Sequence, residues 1–295
     1  MDWVLFFELA INGAFAGLMY SLVALGIVLI YKSSAVPNLA QGAMAMLGGY
    51  MVLAFFEDVG APMWLAIPLA IVAMFFVGMG IERLALRRMA GRPIIMILMM
   101  TLGLDIFLRG SSLAIWGGTN RLMPIGIPDD PLFMGEILLN RSYVIGGVIA
   151  VALFIFFVGF FRTRMGIVLR AISDDYMASW SVGISVERGV ALSWAMSAIV
   201  ATVAGVLWGS VQGVDQSLSL LLLKGIAVAV LGGLDSIGGA ILAGLLLGIF
   251  EGIAAGYLDE VVGGGSRDLV VAATLVLTIL IRPHGLFGRE DIERI

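Results

Sequence analysis

Cysteine is absent from this 295-residue chain, and histidine occurs once, at position 284. The first absence excludes disulfides and thiolate metal sites while leaving the compartment open. Charge is scarce too: Asp, Glu, Lys and Arg together make up 13% of the residues, against about 25% in an ordinary soluble domain. No Gly-x4-Gly-Lys-Ser/Thr loop occurs, so that cradle for ATP phosphates is missing. Neither His-Glu-x2-His nor Gly-x-Ser-x-Gly is present, and an intramembrane enzyme is poorly supported. The lone His284 stands between Pro283 and Gly285 and reads as a tail residue rather than a metal ligand. The start, Met1-Asp2-Trp3, lacks a basic leader region, so the first apolar stretch is expected to remain as a true span.

What the chain has in abundance is apolar surface, with 61% hydrophobic residues and a mean hydropathy of +1.07. No soluble fold hides that much, so the solvent is lipid. Backbone groups inside a bilayer must be satisfied within the chain, which leaves helices or a closed barrel. The apolar runs are too long and too weakly alternating for barrel strands of about ten residues. The expected fold is an all-α polytopic bundle. A hydrocarbon core of ~30 Å needs about 20 helical residues. The runs fall at 4–31, 39–56, 62–81, 94–115, 144–161, 189–211, 218–232, 239–257 and 268–281. The seventh is short and reads as a half-helix, giving eight or nine spans. In the eighth, Gly244, Gly248, Gly252 and Gly256 recur every fourth residue, with Ala240 before them. In lipid, close backbone approach through small residues replaces the hydrophobic effect as the packing force, so this stripe is expected to seat a neighbouring helix.

Basic residues set the orientation. With the N-terminus outside, Lys32, Arg83, Arg87, Arg88, Arg92, Arg162, Arg164, Arg170, Arg188, Arg282, Arg289 and Arg294 fall inside, twelve of the seventeen. Arg121, Arg141 and Arg267 fall outside, where Glu57, Asp58, Asp129, Asp130, Asp259 and Glu260 also lie. The bias places the C-terminus inside. The inner stretch 162–188 carries helical character from Ile167 to Trp180 and reads as one short helix at the membrane face. The outer stretch from Trp116 to Arg141, with Pro124, Pro128 and Pro131, reads as an irregular cap.

Charges within apolar stretches are expensive and point to function by default. Asp105 and Arg109 are four apart, a spacing that lets them pair on one helix face. Glu251, beside Gly252, either bonds a neighbouring helix or lines a cavity; Glu8 and Lys224 either lie within the bilayer or reach its interface. Asn38-Leu39-Ala40-Gln41-Gly42 opens the second span, and its side chains either cap a helix or line a pathway. Gly232-Gly233 through Gly238-Gly239 makes a tight turn between two helices. Ala-Met-Ala-Met-Leu-Gly-Gly at 43–49 is echoed by Ala-Val-Ala-Val-Leu-Gly-Gly at 227–233. The same shift lays the first span over the sixth, which runs the other way. The expected organisation is one domain, 1–295, of two inverted repeats, 1–161 and 189–281, joined by segment 162–188.

Five places together resemble one family. They are Asn12-Gly13 with Gly17 and Tyr20; Asn38 to Gly42 with Gly48-Gly49-Tyr50; Arg170-Ala171 through Ala178 to Gly183-Ile184; Leu231-Gly232-Gly233 through Ser236-Ile237 to Gly239-Ala240; and Arg282 to Gly288. The chain resembles the LivH family, permease subunits of branched-chain amino acid ABC importers. The resemblance implies a type II importer permease-like bundle in a bacterial inner membrane, without catalytic residues, cofactor or metal of its own. It implies a second, related permease subunit, two cytoplasmic ATPases that hold ATP and Mg, and a periplasmic binding protein. Arg170, Asp174, Asp175, Ala178 and Gly183 then match the family's ATPase-coupling motif. Asn12, Asn38, Gln41, Gly42, Gly232 and Gly233 are pathway candidates. Relatives of similar sequence serve urea, short amides or carboxylates, so the solute class stays open beside a stand-alone carrier.

Overall fold

The computed structural model describes residues 3–89, 91–128 and 130–288. Met1, Asp2, Asp129, Arg289 and Arg294, all used in the sequence reading, lie outside the described residues. The described chain forms α1 (Trp3–Ser34), α2 (Gln41–Leu53), α3 (Met63–Leu84), α4 (Ile94–Trp116), α5 (Arg141–Phe160), α6 (Arg164–Asp174), α7 (Tyr176–Ser181), α8 (Val186–Gln212), α9 (Leu221–Gly232), α10 (Ile237–Val262) and α11 (Ser266–Ile281). Of these, α1, α3, α4, α5, α8 and α10 are long and apolar enough to cross a bilayer. The others are shorter. α2 is prolonged by a π-helical turn, Ala54–Asp58, and α9 follows a 3-10 turn, Gln216–Leu220. At 12 residues α9 reaches only ~18 Å.

The interior is built on α1 and α8, which run in opposite directions. Every residue of α1 from Gly17 to Ile30 is buried, and so is most of α8 from Ser193 to Gly209. α1 packs along α10, α9, α8 and α5; α8 packs along α3 and α2. Packing is thus reciprocal: what α9 and α10 are to α1, α2 and α3 are to α8. The buried stripes correspond as well. Ala66, Ala70, Met74 and Gly78 face inward on α3, and Ala240, Gly244 and Gly248 on α10. α3, α4, α5 and α11 form the periphery and turn residues such as Phe76, Phe107, Phe156 and Leu280 outward. An apolar periphery around a small-residue centre is the arrangement lipid demands.

Glycine decides the central contact. A Cβ on Gly248 would overlap the carbonyl oxygen of Gly13, one on Gly244 the hydroxyl of Ser21, and one on Gly252 would stand 2.5 Å from the Leu9 oxygen. A Cβ on Gly256 would meet the Leu9 side chain. Reciprocally, Gly13 and Gly17 leave no room against Gly248 and Gly244. The α10 stripe therefore seats α1, backbone against backbone.

Two stretches depart from the expected local structure. The segment 162–188 holds two helices rather than one. Asp175 is extended (φ −154°) and its carboxylate accepts from the Ala178 N–H at 2.8 Å, ending α6 and capping α7. Asp and Asn compete for local backbone donors in this way and favour caps over helix interiors. The stretch between α4 and α5 is not wholly irregular, since Leu132–Met134 (β1) pairs antiparallel with Ile137–Leu139 (β2) around Gly135 at φ +69°.

Candidate functional sites in the bundle

The basic loops gather at one end of the bundle. Lys32, Arg162, Arg170 and Asp235 border one cavity there, where Lys32 donates to the Asp235 carbonyl at 2.5 Å and Arg170 donates to that of Phe161 at 2.6 Å. α6 and α7 lie at this Lys32 end. Met165, Ile167, Met177 and Trp180 are exposed on them, as is Val182 just after α7, at 75%. The chain then turns through Gly183 (φ +84°), whose missing Cβ faces open space, and enters α8. Glu187 in the first turn of α8 holds Arg87 at 3.1 Å, and Arg87 also forks onto the buried Glu82 of α3 at 2.9 and 3.2 Å. This ion network ties the segment after α7 to α3. A cavity of about 420 Å³ adjoins it, lined by Met177, Glu187, Arg87, Ser33, Thr101 and Trp194.

Thr101 leads to a buried polar centre at the start of α2. Its hydroxyl accepts from the Leu39 N–H at 3.4 Å. Asn38 and Gln41 are fully buried; Asn38 donates to the Gln41 Oε1 at 3.1 Å and accepts from the Ala40 N–H at 3.0 Å. The Gln41 amide nitrogen donates to the Ser197 carbonyl at 3.3 Å. The Ser197 hydroxyl lies 2.8 Å from Gln41 Oε1 and 2.9 Å from the Gly26 carbonyl, and with one proton donates to one at a time. The centre thereby joins α1, α2 and α8.

A second polar centre lies where α9 begins. Lys224 pairs with Glu251 of α10 and donates to the Tyr20 hydroxyl of α1 at 2.9 Å; that hydroxyl donates to Glu251 Oε1 at 3.3 Å. Trp208 stacks on Tyr20 with ring centroids 4.6 Å apart. As α2 does for its centre, the short α9 supplies the polar side chain from near its first turn.

The other pathway candidates are scattered. Asn12 sits at the opposite end, where its amide pairs with backbone like a strand residue, donating to the Leu138 carbonyl (2.8 Å) and accepting from the Asn140 N–H (2.8 Å). Gly42 packs on Ser219 and Leu222. Gly232 packs on Gly239, and Gly233 (φ +98°) packs on Gly288. The tail closes this junction, since the Leu286 and Phe287 N–H groups donate to the Leu231 and Gly232 carbonyls at 2.8 and 3.2 Å. The backbone carbonyls that end α9 are satisfied this way. Asp105 and Arg109 pair on α4 at 2.5 Å. Sequence reasoning did not bring together Lys224, Glu251 and Tyr20, nor Ser197 with Gln41, nor the Glu82–Arg87–Glu187 network. Two lone, opposite charges in apolar stretches were the available signal for the first. Among the described residues no cluster of three His, Cys, Asp or Glu is arranged to hold a metal ion.

Kinship places these sites in context. Residues 9–281 match the family model described as "Branched-chain amino acid transport system / permease component". The chain is 30% identical to the high-affinity branched-chain amino acid transport system permease protein BraD of Pseudomonas aeruginosa, over 97% of this chain and 96% of that one. It is 30% identical to the corresponding protein LivH of Escherichia coli K12, over 100% of this chain and 99% of that one. It is also 30% identical to a probable branched-chain amino acid transport permease protein LivH of Methanocaldococcus jannaschii, over 90% and 88%. A multi-pass helical bundle matched along nearly its full length, the chain belongs to the permease-component family of branched-chain amino acid transport systems.

Proposed function

We propose that this chain is the translocation subunit of an ATP-driven importer for a small polar solute, with amino acids as the leading class. It works beside a second, related permease subunit, with two cytoplasmic ATPases below and a periplasmic binding protein above. The chain hydrolyses nothing itself; ATP and Mg belong to the ATPases. The Lys32 end is cytoplasmic, as the positive-inside rule assigns, and the Asn12 end is periplasmic. The reciprocal packing of α1–α3 against α8–α10 supports two inverted repeats joined by 162–188.

The observation that carries this reading is the α6–α7 segment. Five apolar side chains stand exposed at the basic end, uncovered by this chain, and an exposed apolar patch of this kind marks an interaction surface. Arg170, Asp174, Asp175, Ala178 and Gly183 belong to this segment. It leads straight into α8 and, through Glu187 and Arg87, into α3. A push from closing ATPases would therefore reach the helix that holds Ser197 and its bond to Gln41. Co-purification with the ATPases tests the reading: Trp180→Asp combined with Val182→Asp is expected to release them while the permease stays in the membrane. Full retention of both ATPases by that variant would contradict it.

Within the same importer type, urea, short amides or small carboxylates are the alternative cargo. The binding protein's ligand separates these cases, since that component makes the first selection.

A further inference from the structure

The Asp105–Arg109 pair sits where a bilayer tolerates charge least. Asp105 is the middle residue of α4, eleven positions from Ile94 and eleven from Trp116, or ~16 Å from either end at 1.5 Å per residue. α4 packs on α2 and buries Asp105 along the line of Thr101, Leu108 and Ser112. Arg109 holds the Asp105 carboxylate at 2.5 Å, yet its own side chain is 39% exposed. Side chains on a helix lean toward its N-terminus, which for α4 is the Lys32 end of the bundle. The bond to Asp105 therefore draws the guanidinium toward the bilayer centre. A snorkelling arginine would reach the other way, to the outer head groups about 10 Å off.

The pair carries no net charge and selects neither a cation nor an anion. It remains strongly polar, and Asp105 engages one guanidinium nitrogen, Nη2. Acyl chains offer the rest of the group no acceptor, so contact with lipid is costly there. The other mid-helix pair, Lys224–Glu251, is largely buried, with side chains 19% and 5% exposed. The interior offers a solute no route, because α1 is buried without interruption from Gly17 to Ile30 and packs backbone to backbone on α10. A polar solute therefore passes along the outside of this chain, over a surface that carries polar groups at mid-depth. The α4 flank bearing Arg109 is such a surface. Leu102 and Leu113 lie on it, 37% and 43% exposed and ~20° and ~40° around the helix from Arg109. Gly103 and Ala114 are exposed at nearly the same depths but lie ~120° and ~140° away from Arg109.

We propose that this flank of α4 is one wall of the water-filled solute pathway, with the second, related permease subunit as the facing wall. The inference rests on the importer reading. It locates the pathway on the surface of this chain rather than at Asn38, Gln41, Gly232 and Gly233, all of which are buried. Arg109 keeps the wall wet at mid-depth, and Asp105 keeps Arg109 there.

Because the chain contains no cysteine, a single introduced thiol reports its own surroundings. Leu102→Cys, Gly103→Cys, Leu113→Cys and Ala114→Cys are made one at a time, each leaving the ion pair intact. The complex of both permeases and both ATPases is placed in nanodiscs. The probe is sulfonatoethyl methanethiosulfonate, a charged reagent that acts from water: the thiolate attacks its sulfenyl sulfur, a mixed disulfide forms and methanesulfinate leaves. Only the thiolate reacts, and apolar surroundings keep a thiol protonated. Labelling is followed by the mass of this chain, without nucleotide and with the ATPases trapped by ADP and vanadate. In at least one state Leu102→Cys and Leu113→Cys are expected to label at least tenfold faster than their neighbours Gly103→Cys and Ala114→Cys. The labelled Leu102→Cys complex is expected to lose ATP-driven uptake until dithiothreitol removes the adduct. Should one pair of variants fail to assemble, the other pair still decides the matter. Equal or reversed rates within either pair, no labelling of the flank in either state, or uptake indifferent to the adduct would overturn the wall, leaving lipid or a dry helix contact on this flank. Uptake by the unmodified complex, with binding protein restored, separates the two readings. Uptake beside an unlabelled flank removes the wall and leaves the importer, whereas absence of uptake of any solute with all partners present removes the importer.

Discussion

The amide of Gln41 fills the space that a side chain on Gly26 would need. A Cβ at Gly26 would overlap that amide and stand 3.1 Å from the Ser197 hydroxyl. Overpacking of a close-fitted site costs about 1–3 kcal/mol. Gly26→Ala is therefore expected to lower the thermal midpoint of the detergent-solubilised protein, and adding Gln41→Ala to recover part of the loss. An unchanged midpoint for Gly26→Ala would show that the junction of α1, α2 and α8 is looser than its geometry.

Gly248 faces Gly13 and Gly17 with no room for a side chain. Gly248→Leu is expected to separate α1 from α10 and to yield protein that inserts but aggregates on solubilisation, measured by size-exclusion chromatography. Leucine at Gly103, where a Cβ would meet nothing within 4 Å, serves as the control and is expected to be tolerated. Equal behaviour of the two variants would contradict the seam.

The Lys224–Glu251 pair is buried, with side chains 19% and 5% exposed. Removing one member of such a pair leaves an uncompensated charge and costs about 3–5 kcal/mol, whereas replacing both with apolar groups is often neutral. Lys224→Met is expected to destabilise the protein strongly, and Lys224→Met with Glu251→Met to restore most of the midpoint. Additive losses in that cycle would mean that the two charges do not depend on each other.

Helix placement was legible in the sequence because lipid enforces it: long apolar runs became α1, α3, α4, α5, α8 and α10, and the run at 218–232 was too short to span and became the short α9. The break at Asp175 was not legible, since it depends on a carboxylate choosing the Ala178 N–H over the solvent. Nor was the meeting of Lys224 with Glu251. They are 27 residues apart, and only the turn from Gly233 to Ser236, closed by an N–H to carbonyl bond of 2.9 Å, lays α9 beside α10. Asn12 entered as a pathway candidate with the family resemblance; its bonds to Leu138 and Asn140 depend on the β1–β2 hairpin, which the prolines of that loop concealed.

Gly183 at φ +84° terminates the α7 turn with open space around it. Gly183→Trp combines backbone strain with bulk on the exposed face. It is expected to reduce ATPase co-purification and solute uptake together, without changing the amount of permease in the membrane. Reversing Asp174 and Asp175 to Lys is expected to do the same, partly by removing the α7 cap, a loss of about 1 kcal/mol. Normal ATPase binding in both variants would move the coupling contact elsewhere.

The central claim is that this bundle moves solute on energy supplied by others. The measurement is uptake of radiolabelled leucine and related solutes into vesicles holding the permease alone, or with its partner permease, ATPases and binding protein. The account predicts accumulation only in the complete system, dependent on ATP inside the vesicle reaction and unaffected when the proton gradient is collapsed. Concentrative uptake by this polypeptide alone would contradict it.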